Sequence, residues 1–173
     1  MDPIREDLLD RVVRALPGWQ VLVVQFNDTV ASALGVSASD LQALFVLSRH
    51  GSCTPGTLAR HVGLSTGAAS RMVERLVEAG LATRAADPAD RRRVLVTAAP
   101  EALDAVSRRY QPLNDDLREH LGGFDEEGLR AMLAFVHAAE ASTQRHLDGA
   151  GGRAAVPAGA QPDGPRGAGR ART

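Results

Sequence analysis

Apolar side chains recur every three or four residues along most of this chain, the spacing that lines one face of an α-helix. Ile4, Leu8, Leu9, Val12, Val13 and Leu16 form the first such stripe and predict an amphipathic helix over residues 3–15. Pro17-Gly18 interrupts it, because proline lacks the N–H that a helix interior uses. A second, more apolar helix is expected over residues 19–34, with Val21, Leu22, Val24, Phe26, Val30 and Ala33. The run Gly35-Val36-Ser37-Ala38-Ser39 ends that helix and caps another over residues 40–49, whose Leu41, Leu44, Phe45 and Leu47 face a core.

The pattern then shortens. Gly51 to Thr54 predicts a very short strand, and a helix starting at Thr54 or Pro55 runs to His61 or Val62. Gly63-Leu64-Ser65 is a tight turn into a helix over residues 66–79, with Ser65 at its N-cap and Gly80 where it stops. Ala69, Met72, Val73 and Leu76 make its packed stripe, while Gly67, Ser70, Arg71 and Glu74 fall on the opposite face. Two helices joined in this way have the form of a helix-turn-helix. Residues 81–85 and 93–98 can pair as strands around Asp87-Pro88-Ala89-Asp90-Arg91-Arg92, which places a hairpin wing directly after the second helix. Leu103, Val106, Tyr110, Leu113, Leu117 and Leu121 then predict a helix over residues 100–121, with a coiled-coil-like seam that Pro112 kinks without ending. Gly122-Gly123 close it, and Asp125-Glu126-Glu127 open a last helix carrying Leu129, Met132, Leu133, Val136 and Ala139 to about Leu147. The expected fold is mainly α with a small β-hairpin wing.

Charge changes the picture because it is unevenly spread. The net charge of −1 hides eight arginines against four acids in residues 41–98, a local +4, and three against six in residues 1–40, a local −3. Residues 99–148 carry five against ten, a local −5, and residues 149–173 four against one, a local +3. Positive charge thus gathers on the helix-turn-helix, its wing and the tail, while the other helices are acidic, the segregation a DNA-binding face requires. At 173 residues the chain is long enough to bury a core, and its single cysteine, Cys53, allows no intrachain disulfide, which suits a reducing compartment. An acidic N-terminus with no long apolar run after it predicts neither a signal peptide nor a membrane span, hence a cytoplasmic protein. The five histidines show no metal-ligand spacing, and there is no phosphate-binding glycine loop and no nucleophile elbow, so neither an enzyme nor a bound cofactor or metal is expected.

A helix the length of residues 66–79 fits the major groove of DNA, where base edges present a distinguishable pattern of donors and acceptors. Ser70 and Arg71 are the candidates for base contact, Thr66 and Gly67 lie near the DNA backbone at the helix start beside Ser65, and Arg75 on the flank meets phosphate. Successive arginines at a turn repel one another, and an anionic minor groove resolves that for Arg91, Arg92 and the adjoining Arg93, with Asp90 shaping the tip.

Leu58-Ala59, Leu64-Ser65, the run from Ser70 through Leu76, Gly80-Leu81 and the run from Asp87 through Val96 resemble the winged helix-turn-helix of MarR-type transcriptional regulators. The resemblance extends less sharply over residues 18–147. It implies a winged helix-turn-helix joined to a helical dimerisation lobe. Residues 1–35 then supply N-terminal dimerisation helices, residues 36–98 the DNA-binding region and residues 99–148 the C-terminal dimerisation helices, while the composition of residues 149–173, rich in Gly, Ala, Pro and Arg, by itself predicts a disordered basic tail. It also implies a repressor that binds a palindromic operator as a homodimer and leaves it when a small aromatic or anionic effector enters a cleft beside the reader. Trp19, Phe26, Arg49, His50 and Tyr110 come from segments that would line such a cleft. Where the family usually closes the second wing strand with Leu-Thr, this chain has Ala98-Ala99, so a hydroxyl cap worth roughly 0.5–2 kcal/mol is missing and Pro100 at the first helical position compensates in part. The alternatives are a non-specific, nucleoid-like DNA-binding accessory protein and a regulator that senses redox state through Cys53.

Overall fold

The computed structural model describes residues 2–151. Nine elements follow in order: α1 (Pro3–Leu34), α2 (Ala38–His50), β1 (Ser52–Cys53), α3 (Pro55–Val62), α4 (Thr66–Glu78), β2 (Ala82–Ala86), β3 (Val94–Ala98), α5 (Pro100–Leu121) and α6 (Glu126–Gly151). The chain divides into a unit ending at Arg118 and a second beginning at Glu119.

In the first unit the buried stripes converge. Leu41, Leu44 and Leu47 of α2, Leu58 of α3, Met72, Val73 and Leu76 of α4 and Val96 of β3 are its largest fully buried side chains. Val30 and Ala31 at the end of α1 and Ala102 and Val106 of α5 extend this core. The sheet is three-stranded and antiparallel in the order β1-β3-β2, with Cys53 opposite Val96 and Arg84 opposite Val96 on the other side. The strand β1 thereby ties the start of the helix-turn-helix to the wing. The second unit holds the end of α5 and α6, opened by Asp125, whose carboxylate accepts from the Gly128 N–H at 2.8 Å. Leu129, Met132, Leu133, Phe135 and Val136 of α6 are exposed.

Three expectations are corrected. Residues 3–34 form one helix rather than two, with Pro17 inside it. Leu9, Val12, Leu16, Trp19, Val23, Phe26 and Val30 step by three and four without losing phase at Pro17-Gly18, so both halves present one continuous stripe. A break there would leave up to four carbonyls and four N–H groups unpaired, and neither Pro17 nor Gly18 has a side-chain oxygen to cap them. Keeping the helix costs the proline penalty of about 3 kcal/mol once. Phe45, expected in the core, is 37% exposed, and Ala43 is buried instead, because the buried arc of α2 runs through Asp40, Leu41, Ala43, Leu44 and Leu47. Finally α6 runs through Gly151, so the expected tail at residues 149–173 begins with helix. Its remainder, residues 152–173, lies outside the described residues.

The first prediction concerns the shared core. Leu58→Ala, at a fully buried position on α3, should destabilise the chain by about 2–5 kcal/mol in urea unfolding followed by circular dichroism, and a loss under 1 kcal/mol would show a loosely filled core.

Candidate nucleic-acid interface

The turn before α4 depends on Gly63, whose φ of +72° lets the Leu64 N–H donate to the Ala59 carbonyl at 2.8 Å and bends the chain back on α3. Ser65 then caps α4, its hydroxyl accepting from the Ala68 N–H at 3.3 Å. At the far end Gly80, with φ +70°, allows the Leu81 N–H to reach the Leu76 carbonyl at 2.8 Å and directs the chain into β2. With Ala69, Met72, Val73 and Leu76 buried, Thr66, Gly67, Arg71 and Glu74 face solvent and Ser70 is half-buried. The Ser70 hydroxyl donates to the Thr66 carbonyl at 3.0 Å, and the Arg84 guanidinium from β2 donates to the Ser70 carbonyl at 3.4 Å, which braces the wing against α4.

Arg75 has an internal partner. Its Nη2 donates to Asp40 Oδ1 at 2.7 Å, joining α4 to the first turn of α2. Asp40 is 5% exposed and is the buried charge among the described residues. Its Oδ2 accepts from the Ser37 N–H at 3.1 Å while the Ser37 hydroxyl accepts from the Asp40 N–H at 3.2 Å, a capping box. Burial works to raise the carboxyl pKa, but the hydrogen bonds from Ser37 and Arg75 and the charge of Arg75 outweigh it and hold it below 3.8.

Two Asx turns shape the wing. The Asp87 carboxylate accepts from the Ala89 N–H at 2.9 Å and the Asp90 carboxylate from the Arg92 N–H at 3.1 Å. Arg93 closes the hairpin base, with its N–H on the Asp90 carbonyl at 2.8 Å and its Nε 3.8 Å from Asp87 Oδ2. So Ser65, Asp90 and Arg93 hold the frame. Among the described residues the guanidinium groups of Arg71, Arg91 and Arg92 are exposed and have no protein partner. These three cations, on the outward face of one helix and the tip of the adjoining ribbon, are what the fold presents to an anionic surface.

The residues expected around an effector lie at several places in the fold. Trp19 is 58% exposed on α1, and the His50 ring lies against that of His61 with centroids 5.0 Å apart. Phe26 packs edge-on against Tyr110 at 5.3 Å, and Phe45 does so from the other side at 5.2 Å. A cleft of about 260 Å³ between α2 and α5 is lined by Leu44, Phe45, Ser48, Leu103, Val106, Ser107, Tyr110 and Asn114. Of the five expected residues only Tyr110 lines it; Trp19, Phe26, Arg49 and His50 do not. Residue type points to aromatic and basic side chains, whereas helical phase decides which of them faces a cleft, and Ser48, Ser107 and Asn114 carry no sequence signal of their own. Asp40 did carry one, the Ser-x-x-Asp spacing from Ser37. Cys53 is 7% exposed, and burial pushes its thiol above the ordinary range, the setting of a small packing residue rather than a reactive thiolate.

A model of the MarR family matches residues 34–93. An uncharacterized HTH-type transcriptional regulator, YcgE, of Bacillus subtilis (strain 168) is 32% identical over 144 residues, covering 83% of this chain and 94% of that one. The crystal structure of RV1404 from Mycobacterium tuberculosis has a TM-score of 0.60 and 28% identity, over 76% of this chain and 94% of that one. A MarR family protein from Bacillus stearothermophilus gives a TM-score of 0.62 at 17% identity, over 80% of this chain and 96% of that one, a likeness of fold.

The ion pair yields a second prediction. Because the folded pKa of Asp40 is depressed, its contribution is complete above the unfolded value near 3.8 and is lost as pH falls through the lower folded value. Asp40→Asn should therefore cost about 1–3 kcal/mol at pH 7 in urea unfolding and progressively less below pH 4; a penalty that stays constant with pH would exclude the ionised carboxylate as its source.

Proposed function

The chain belongs to the MarR family of winged-helix transcriptional regulators, and from that premise we propose that it is a cytoplasmic repressor that binds a palindromic operator as a homodimer and is released by a small-molecule effector. The observation that carries the DNA reading is the set of unpaired cations Arg71, Arg91 and Arg92, held outward by a helix and by a wing whose turn is fixed by Asp87, Asp90 and Arg93. Arg71, with Thr66, Gly67 and Ser70 beside it, enters the major groove, where a guanidinium forks onto guanine. Arg91 and Arg92 follow the adjoining minor groove, whose narrow, negative wall attracts them. Arg75 orients α4 through Asp40 and reaches phosphate only with the half of its side chain that is exposed.

The homodimer is supported by apolar faces that single helices leave uncovered. On α1, Ile4, Leu8, Leu9, Val12 and Val13 are exposed, and on α6 Leu133 and Val136 are. Contiguous apolar surface of this kind marks an interface, and a second copy of the same helices is the partner the family premise supplies. A two-fold axis sets the two α4 helices to read half-sites roughly 34–36 Å apart. A cleft against α2, the helix that Asp40 ties to α4, supports the effector reading.

The test is fluorescence anisotropy with a duplex selected from a random pool. Arg71→Ala should weaken specific binding by about 1–3 kcal/mol and narrow the gap to scrambled DNA. Arg91→Ala and Arg92→Ala should weaken both duplexes alike and each lower the salt slope by about one. Equal binding of wild type to selected and scrambled duplexes would leave a non-specific accessory protein, and full binding by all three variants would show that another surface meets DNA. Sedimentation should give a dimer, and a monomer at micromolar concentration would remove the two-fold operator.

A further inference from the structure

The cleft between α2 and α5 has a donor and acceptor inventory that specifies what it takes. We propose that it binds a neutral single-ring aromatic compound bearing a hydrogen-bond donor, such as an amide or a phenol, and that it rejects aromatic carboxylates. The proposal rests on the effector reading above and names the ligand class of that site, in place of the aromatic or anionic effector expected from the sequence.

Its wall and floor are apolar: Leu44 and Phe45 on α2, Leu103 and Val106 on α5. Phe45 and Tyr110 meet at an interplanar angle of 76°, so two nearly perpendicular rings border the cleft and offer an incoming ring aromatic contact, which favours offset or edge-to-face packing. A volume near 260 Å³ lies just below the roughly 300–1,000 Å³ of drug-sized ligand sites and suits one ring.

The polar lining decides the charge. No Arg, Lys, His, Asp or Glu is among the lining residues. Two of the four polar side chains have already spent their hydrogens. The Ser48 hydroxyl donates to the Phe45 carbonyl at 2.8 Å, and the Tyr110 hydroxyl donates to Asn27 Oδ1 at 2.6 Å. Both oxygens therefore meet a ligand as acceptors. Asn114 and Ser107 offer both senses. A ligand N–H or O–H satisfies this set. A carboxylate accepts only, so it would face the Ser48 and Tyr110 lone pairs with no cation to offset its lost hydration.

Tyr110 also gives the cleft a mechanical connection. Its ring is held between Phe26 of α1 and Phe45 of α2, and its hydroxyl bonds to Asn27 of α1. A ligand seated on Phe45 presses on α2, whose first turn carries Asp40 and hence Arg75 of α4.

Benzamide and benzoate, nearly equal in size and differing in donor and charge, form the test. Each is titrated into the full chain at pH 7.5 by ligand-observed NMR, with DNA affinity measured in parallel. Benzamide should bind at least about tenfold more tightly than benzoate, and Ser48→Ala, at an exposed position that does not endanger folding, removes one of the two acceptor oxygens and should narrow that preference. Ser107→Arg, which adds a cation at the rim, should reverse it. Benzoate binding as well as or better than benzamide overturns the proposal, as does a preference that Ser48→Ala leaves unchanged, or no binding of either probe. Should benzamide bind with the stated preference and DNA affinity stay unchanged, the ligand class stands and release by an effector falls.

Discussion

The stripe of Ala69, Met72, Val73 and Leu76 must leave water, and a short helix that buries one side turns the other side outward. That constraint sets the orientation of Arg71 without any contact to it. Burial alone tolerates some rotation of α4, since apolar packing is non-directional. The Asp40–Arg75 bond supplies direction: a carboxylate almost removed from solvent accepts one guanidinium at 2.7 Å, which fixes how α4 turns relative to α2. The same carboxylate closes the capping box of α2, so the start of one helix and the rotation of another share a single group. Losing that group should disturb the reading face before it unfolds the core.

Much of this was legible from local chemistry. Ser65 and Gly80 bound α4 to within a residue because capping and the left-handed stop are short-range effects, and the Asp-Pro-Ala-Asp run placed the wing for the same reason. The errors came where a distant partner or a long-range phase decides. Pro17-Gly18 looks like a break to any rule that scans a few residues, and only the stripe from Leu9 to Val30 shows that the helix continues. Phe45 sits at the edge of the buried arc, where Tyr110, far along the chain, gives it a contact outside the core. Arg75 and Arg93 resemble Arg71 and Arg92 as letters. Asp40 and Asp87, brought near by folding, separate the two that serve the frame from the two that remain free.

The charge distribution follows the same division of labour. The acidic balance of the first and last helical segments keeps the scaffold from competing for DNA, and on the helix-turn-helix and wing Arg71, Arg91 and Arg92 are exposed. Uncovered apolar stripes on α1 and α6, a cleft without charged lining residues and a buried Cys53 each have an ordinary physical account: surface open to a partner, a small apolar recess and a packing residue.

Hydrogen–deuterium exchange of the full chain, free and with its selected duplex bound, tests the central claim most directly. Protection should appear at the N-terminal half of α4 and at the wing residues 87–93, with α2 unchanged because Asp40 and Arg75 already hold it. Protection that spares both α4 and the wing while appearing on another face would contradict the assignment of the reading surface.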